Sequence, residues 1–243
     1  MEKNTVNWIE ITTKIGCKNM CSYCPQTKFL KEYKDTKKLM TLDDFKFFLS
    51  KINNKETKIH FSGFSESFIN DESVDMMIHA FNSGFGVILY TTLVGFTLEK
   101  AKKLKESGMI FEQTRMHEFD GVGFNREVFN NSEVMFRENV KSLDHRIVRV
   151  DNPMSRGGSL FEVHHKLGKI RCVENRYFNN VLLPNGDLYM CCSDWLLKHK
   201  IGNLNEDIYS SNELNENRIK NIKLCDSYDS DIICRDCEWS YNV

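Results

Sequence analysis

The spacing of apolar and polar positions changes period repeatedly along the chain, and the changes mark alternating strands and helices. Trp8 to Thr13 alternates apolar and polar residues, the period of a first strand. Thr41 is a good N-cap, Asp43 and Asp44 suit the positive end of a helix, and Leu42, Phe45, Leu49 and Ile52 share one helical face. Lys58 to Ser62 predicts a second strand, Val74 to Phe81 a helix stopped by Gly84, and Gly86 to Thr92 a third strand. Thr97 to Ser107 predicts a helix closed by Gly108, and Met109 to His117 a fourth strand. Val128 to Leu143 predicts a further helix and Arg146 to Val150 a fifth strand. Beyond Pro153 the pattern changes. Phe178 to Leu183 and Leu188 to Cys192 flank Pro184-Asn185-Gly186-Asp187, the signature of a β-hairpin turning at Asn185-Gly186, and a helix is predicted from about Asn212 to Ile222.

Strands and helices alternating at this pace predict βαβ units and a parallel sheet, hence an α/β fold. An open doubly wound sheet and a partial barrel share this periodicity. In both, chemistry belongs at the carboxyl ends of the strands. We place a boundary near residue 160, giving a core over 1–160 and a smaller unit over 161–243.

Composition narrows the classes. The 243 residues carry a net charge of −1, so no extended polyanion-binding surface is expected, and nucleic acid is not an expected partner. No run is long and apolar enough for a transmembrane helix, and residues 1–8 hold no apolar signal core, so a cytoplasmic protein without a membrane partner is expected. Nine cysteines are many for such a chain. In a reducing compartment, clustered cysteines point to metal or redox chemistry. They form a front group, Cys17, Cys21 and Cys24, and a rear group, Cys172, Cys191, Cys192, Cys225, Cys234 and Cys237, so two separate sites are expected.

Three thiolates on one short loop can hold three irons of a cubane [4Fe–4S] cluster and leave the fourth iron open, as a catalytic rather than a structural site does. A zinc site built from the same cysteines is the alternative. The run Cys17-Lys18-Asn19-Met20-Cys21-Ser22-Tyr23-Cys24, with C-x3-C-x2-C spacing and an aromatic before the last cysteine, resembles the radical SAM superfamily. The resemblance implies a partial (β/α)6 TIM-type barrel. It also implies S-adenosylmethionine on the open iron, cleaved by one electron to methionine and a 5′-deoxyadenosyl radical. Tyr23 would then lie beside the adenine. Phe61-Ser62-Gly63-Phe64-Ser65-Glu66-Ser67 stands where the family has a Gly-Gly-Glu-Pro-like element, keeping Gly63 and Glu66 but with Ser65 and Ser67 at the usual glycine and proline. Gly63, Ser65 and Glu66 would hold the methionine part, with Glu66 accepting from its ammonium group. Thr91, Thr114 and His117, at later strand ends, would complete the cofactor site.

The run Cys172, thirteen residues, Gly186, four residues, Cys191 resembles the opening of SPASM and Twitch domains, and Cys234 and Cys237 resemble their closing pair. Twitch, the shorter form, implies one auxiliary [4Fe–4S] cluster held by Cys172, Cys191, Cys234 and Cys237. Cys192 remains an alternative to Cys191, although strand alternation aims the two at opposite faces. Cys225 reads as a buried small hydrophobe. The layout is similar to the radical SAM aminocyclitol dehydrogenase type. That implies a small polar substrate such as a sugar or aminocyclitol, oxidised at an alcohol with the auxiliary cluster as electron acceptor, and a flavodoxin- or ferredoxin-type electron donor. Arg156, in Met154-Ser155-Arg156-Gly157-Gly158, would touch the substrate, and Asp194 and Trp195 would face the same cavity. The other readings are a peptide maturase, an epimerase or carbon–carbon bond-forming enzyme, an iron–sulfur electron carrier, and a zinc-stabilised binding protein.

Overall fold

The computed structural model describes residues 8–19, 21–118, 126–147, 154–173, 176–209 and 212–243. Strands β1 (Trp8–Ile11), β2 (Lys58–Phe61), β3 (Val87–Thr91), β4 (Gln113–Glu118) and β5 (Leu143–Ile147) pair in parallel, each with the next. Residues 148–150, predicted to end the fifth strand, and Pro153 lie outside the described residues. Helices α1 (Gln26–Glu32) and α2 (Leu42–Ser50) connect β1 to β2, followed by α3 (Ser73–Asn82), α4 (Leu98–Ser107) and α5 (Arg126–Glu138). In the later part, β6 (Ile170–Cys172), β7 (Asn179–Leu182), β8 (Asp187–Tyr189), β9 (Lys200–Asn203), α6 (Asn212–Lys223) and β10 (Ser240–Asn242) complete the chain.

The eight-stranded sheet runs β5-β4-β3-β2-β1-β7-β8-β9, and β6 pairs with β10 in a separate ribbon. The predicted hairpin is β7–β8, with antiparallel partners Val181 and Tyr189. β7 lies parallel to β1, from Trp8 opposite Asn179 to Ile11 opposite Leu182. The sixth parallel strand therefore joins the sheet at β1 rather than after β5, so the hairpin that leads to Cys191 and Cys192 continues the sheet whose first strand leads to the front cysteines.

The two sheet faces differ sharply. Ile9, Ile11, Ile59, Phe61, Val87, Leu89 and Met116 face the helices and pack with Phe45, Phe48, Met77, Leu104 and Phe136. Fully burying each such side chain stabilises the fold by roughly 1.5–3 kcal/mol. The opposite face is polar and aromatic. Trp8 and His60 meet edge to face at 5.8 Å, His60 and Tyr90 at 4.2 Å, and Tyr90 and His117 at 5.8 Å, with the Arg115 guanidinium 4.5 Å from the Tyr90 ring centre. This face is the interior of the partial barrel.

Local chemistry accounts for the ends of the helices. Thr41 and Asp44 form a reciprocal capping box, with the Asp44 amide donating to Thr41 Oγ1 at 3.1 Å and the Thr41 amide to Asp44 Oδ2 at 2.9 Å. α4 ends at Gly108 in the left-handed conformation, φ 65°. α5 stops at Glu138, short of the predicted Leu143, because Leu143 opens β5 opposite Thr114. Among the described residues no helix is long and apolar enough to cross a membrane.

Candidate active site and metal centres

The cysteine loop leaves the end of β1 and meets the element after β2. Gly63 has φ 61°, and a Cβ there would stand 2.3 Å from Thr12 Oγ1 and 2.9 Å from the Thr12 amide nitrogen. Only glycine permits both this conformation and this approach. The Phe64 amide donates to Thr12 Oγ1 at 2.9 Å, closing the turn over β1. Gly63 is thus required by Thr12, before any cofactor contact.

Glu66 is buried, and its carboxylate is fully engaged. Oε1 accepts from Thr91 Oγ1 at 2.8 Å and the Phe68 amide at 3.3 Å, and Oε2 from the Thr92 amide at 2.6 Å and Thr92 Oγ1 at 2.7 Å. Four acceptor positions are filled by four donors, so no lone pair remains for the expected ammonium group. Burial raises its pKa, and these donors oppose the rise. Glu66 and Thr91 therefore brace the ends of β2 and β3. Asn19, from the cysteine loop, donates to Thr92 Oγ1 at 2.9 Å, and the Cys17 thiol is hydrogen-bonded by the Asn19 and Glu66 backbone. The loop is locked to the Glu66 element.

Asn19 Oδ1 and Ser65 Oγ, both at this junction, are buried without a hydrogen-bond partner. A buried orphan polar atom costs about 1–3 kcal/mol, so two of them mark a place shaped for a polar ligand. Cys17, Cys21 and Cys24 are part-exposed beside it. Burial and the Cys21 thiol push the Cys24 thiol up to about 12, against the pull of Arg156. Binding a metal here must displace protons. Tyr23 hydrogen-bonds Cys21, and burial raises its pKa.

Thr114 and His117, both expected at the cofactor site, lie on opposite faces of β4. Thr114 stands opposite Leu89 in the β3–β4 register, so it faces the helices and is buried among them. His117 is on the interior face, against Tyr90. Strand alternation separates them, and only His117 borders the barrel interior.

The rear cysteines meet in a pocket. Cys172, Cys191, Cys234 and Cys237 line it together with Arg176, Tyr177, Ile233 and Trp239. Among the described residues no three His, Cys, Asp or Glu side chains crowd closely enough to share a single metal ion. Four thiols set around an apolar-walled pocket fit a multi-iron cluster held at its corners. Cys192 is not among the lining residues: its thiol hydrogen-bonds the neighbouring Cys191 thiol and the Glu10 carboxylate, and Arg176 Nη1 lies 4.0 Å from its sulfur. Cys225 is fully buried, in contact with Tyr177 Oη at 3.8 Å and with Cys234.

One turn spans both sites. Arg156, Gly157 and Gly158 all have positive φ, at 54°, 62° and 74°. A Cβ on Gly157 would meet the Ser193 carbonyl at 3.1 Å, and one on Gly158 would meet Asp236 Cβ at 3.0 Å. The glycines therefore wedge between the hairpin end and the Cys234–Cys237 turn, while the Arg156 charge acts on Tyr23 and Cys24. Asp194 does not face this cavity: both its oxygens accept backbone amides, from Lys198 at 2.9 Å and His199 at 2.7 Å. Trp195 packs on Phe64 at 4.5 Å and Phe29 at 5.9 Å, on the side of the first loop.

The sequence reading missed Glu10. It is buried on the interior face, accepting from Ser62 Oγ at 3.0 Å and Trp8 Nε1 at 3.4 Å, and burial raises its pKa. A lone acid within the apolar run Trp8-Ile9-Glu10-Ile11 was the available signal. Glu10 links the Gly63 element, through Ser62, to the hairpin, through Cys192.

Residues 172–238 match the SPASM family, an iron–sulfur cluster-binding domain. No curated protein matches the chain. The crystal structure of BtrN in complex with AdoMet and 2-DOIA superposes with TM-score 0.72 and 20% identity, over 100% of this chain and 95% of that one. Native anSMEcpe with bound AdoMet gives TM-score 0.60 and 14% identity, over 96% of this chain and 86% of that one. Residues 172–238 thus match an iron–sulfur cluster-binding domain model, and the whole chain shares the fold of the BtrN and anSMEcpe structures.

Proposed function

We propose that the protein is a radical SAM oxidoreductase that acts on a small polar alcohol, sugar- or aminocyclitol-like, with a core over 1–160 and an auxiliary-cluster unit over 161–243. Cys17, Cys21 and Cys24 hold the first [4Fe–4S] cluster, and Cys172, Cys191, Cys234 and Cys237 the second. When bound, these clusters and S-adenosylmethionine supply a hydrogen-abstracting radical at one site and an electron acceptor at the other.

The observation that carries the reading is the pair of polar links between the two thiol sites. Glu10 reaches from Ser62 to Cys192, and the Arg156 turn reaches from Cys24 to Ser193 and Asp236. A substrate lying there meets hydrogen-bonding groups on both sides, as a polyol requires. Arg156 donates to a substrate oxygen and, as a fixed cation, favours loss of a proton from it, while Glu10 offers a carboxylate to hydroxyl or amino donors. His117 and Tyr90 bound the interior beside them. The AdoMet in the BtrN and anSMEcpe structures and the 2-DOIA in that of BtrN support this assignment.

The test is anaerobic reconstitution followed by turnover with S-adenosylmethionine, dithionite and a panel of carbon-deuterated polyols and aminocyclitols. We expect about eight irons per chain, formation of 5′-deoxyadenosine, and deuterium in that product with a matching substrate. A colourless protein that takes up zinc instead of iron, or one that never cleaves the sulfonium, overturns the proposal.

A further inference from the structure

The front cysteine loop is set in a basic surface that the overall charge conceals. Residues 14–38 contain seven lysines and two acids, in a chain whose net charge is −1. The structure gathers them. The Ile15 amide donates to the Lys38 carbonyl at 2.8 Å and Lys14 pairs with Leu39, so the backbones of Lys14, Lys37 and Lys38 run together where the chain enters the loop. α1 starts two residues after Cys24 and exposes Lys28 and Lys31, with Lys34 following.

Most of this charge is uncompensated. Lys37 pairs with Asp44, but among the described residues Lys18, Lys28, Lys31, Lys34 and Lys38 have no acidic partner within 4 Å. Asp35, one of the two acids, is occupied by Asn185 Nδ2 at 3.1 Å and the Lys37 amide at 2.8 Å. Leu30 and Leu39 are 43% and 45% exposed within the lysine rim. Exposed leucines among a five-to-two excess of lysines over acids from Lys28 to Lys38 suit a small, transient, steered interface.

We propose that this face, centred on Lys28, Lys31 and Lys34, docks an acidic one-electron donor protein of flavodoxin or ferredoxin type directly over the front cysteine loop. The inference rests on the radical SAM reading, because that chemistry draws one electron per cleavage through the front thiolates. The donor leaves oxidised by one electron, and the chain places its only part-exposed trio of neighbouring cysteines, among the described residues, beside the patch. Charge complementarity selects an acidic protein, and long-range attraction raises its encounter rate.

The experiment measures 5′-deoxyadenosine formation with the reconstituted protein, driven either by a reduced acidic flavodoxin or by dithionite. The variants are Lys28→Glu/Lys31→Glu/Lys34→Glu and, as a control, Lys220→Glu/Lys223→Glu on α6. We expect the α1 variant to lose about tenfold or more of the flavodoxin-driven rate at low salt, with the dithionite-driven rate and iron content unchanged. The wild-type flavodoxin-driven rate falls as salt rises from about 0.01 M to about 1 M, where the screening length shrinks from about 30 to about 3 Å. An unchanged flavodoxin rate, an equal loss with dithionite, or an equal loss in the α6 control overturns the docking face. Absence of product with either reductant in the wild type sinks the radical reading instead, and the docking face with it.

Discussion

At the scale of single residues, position in the sequence and physical task separate most clearly at Gly63 and Glu66. Both were expected to serve a cofactor, yet the bonds they make are internal. Gly63 tolerates the approach of Thr12, and Glu66 gathers four donors from Thr91, Thr92 and Phe68. Gly63→Ala adds a steric overlap to the conformational strain, whereas Gly84→Ala, at φ 82° with open space around it, adds the strain alone. Strain of that kind costs about 1–3 kcal/mol. We therefore expect thermal unfolding of Gly63→Ala at a clearly lower midpoint than Gly84→Ala, and equal midpoints would show that Thr12 yields freely.

At the scale of elements, the hairpin β7–β8 brings Cys191 to the rear pocket. Its turn at Asn185-Gly186 was legible because glycine supplies the positive φ, 86° at Gly186. β8 ends at Tyr189, so the expected alternation does not reach the two cysteines: Cys191 lines the pocket, while the Cys192 thiol contacts both Glu10 and Cys191. Cys191→Ser should lower reconstituted iron from about eight to about four per chain, and Cys192→Ser should leave it near eight. Iron assays giving the reverse would exchange the two assignments. α1 escaped the sequence reading because it is seven residues long and its N-cap position, Pro25, makes no side-chain cap. The short strands β6, β9 and β10 were missed because three or four residues carry too little period to register, and their partners lie far along the chain.

At the scale of the whole molecule, the polar barrel interior carries a cost visible in acid. His60 is buried between Trp8 and Tyr90, neither ring nitrogen has a hydrogen-bond partner, and Arg115 and His117 face it. Burial first, then those two bases, lowers its pKa to about 3 from the ordinary 6.5. The unfolded chain therefore binds a proton that the folded chain refuses between these values. Stability supplied by neutral His60 is complete above 6.5 and falls as pH drops toward 3, by up to about 1.4 kcal/mol per pH unit. Denaturant titrations of wild type and His60→Gln between pH 7 and pH 4 should diverge, with the variant losing less stability on acidification. Parallel curves would mean that the ring finds a partner when charged.

The amino-acid sequence alone determined the alternation of strands and helices, the capping at Thr41 and Gly108, the hairpin turn and the two cysteine groups, because each depends on residues near one another in the chain. The tertiary structure decided the rest. Pairing of β1 with β7 carries the hairpin and its cysteines into the main sheet, a contact across some 170 residues that no local period encodes. That pairing also brings Glu10 to Cys192 and sets the Arg156 turn between the two thiol sites. Side-chain direction completed the division. Register placed Thr114 among the helices and His117 in the barrel interior, and hydrogen-bond geometry closed Glu66 upon Thr91 and Thr92 of the next strand end and Asp194 upon the Lys198 and His199 amides. Local order follows from short-range sterics and hydrogen bonding, whereas a site assembled from distant strands exists only once burial of the helix-covered face has fixed the sheet.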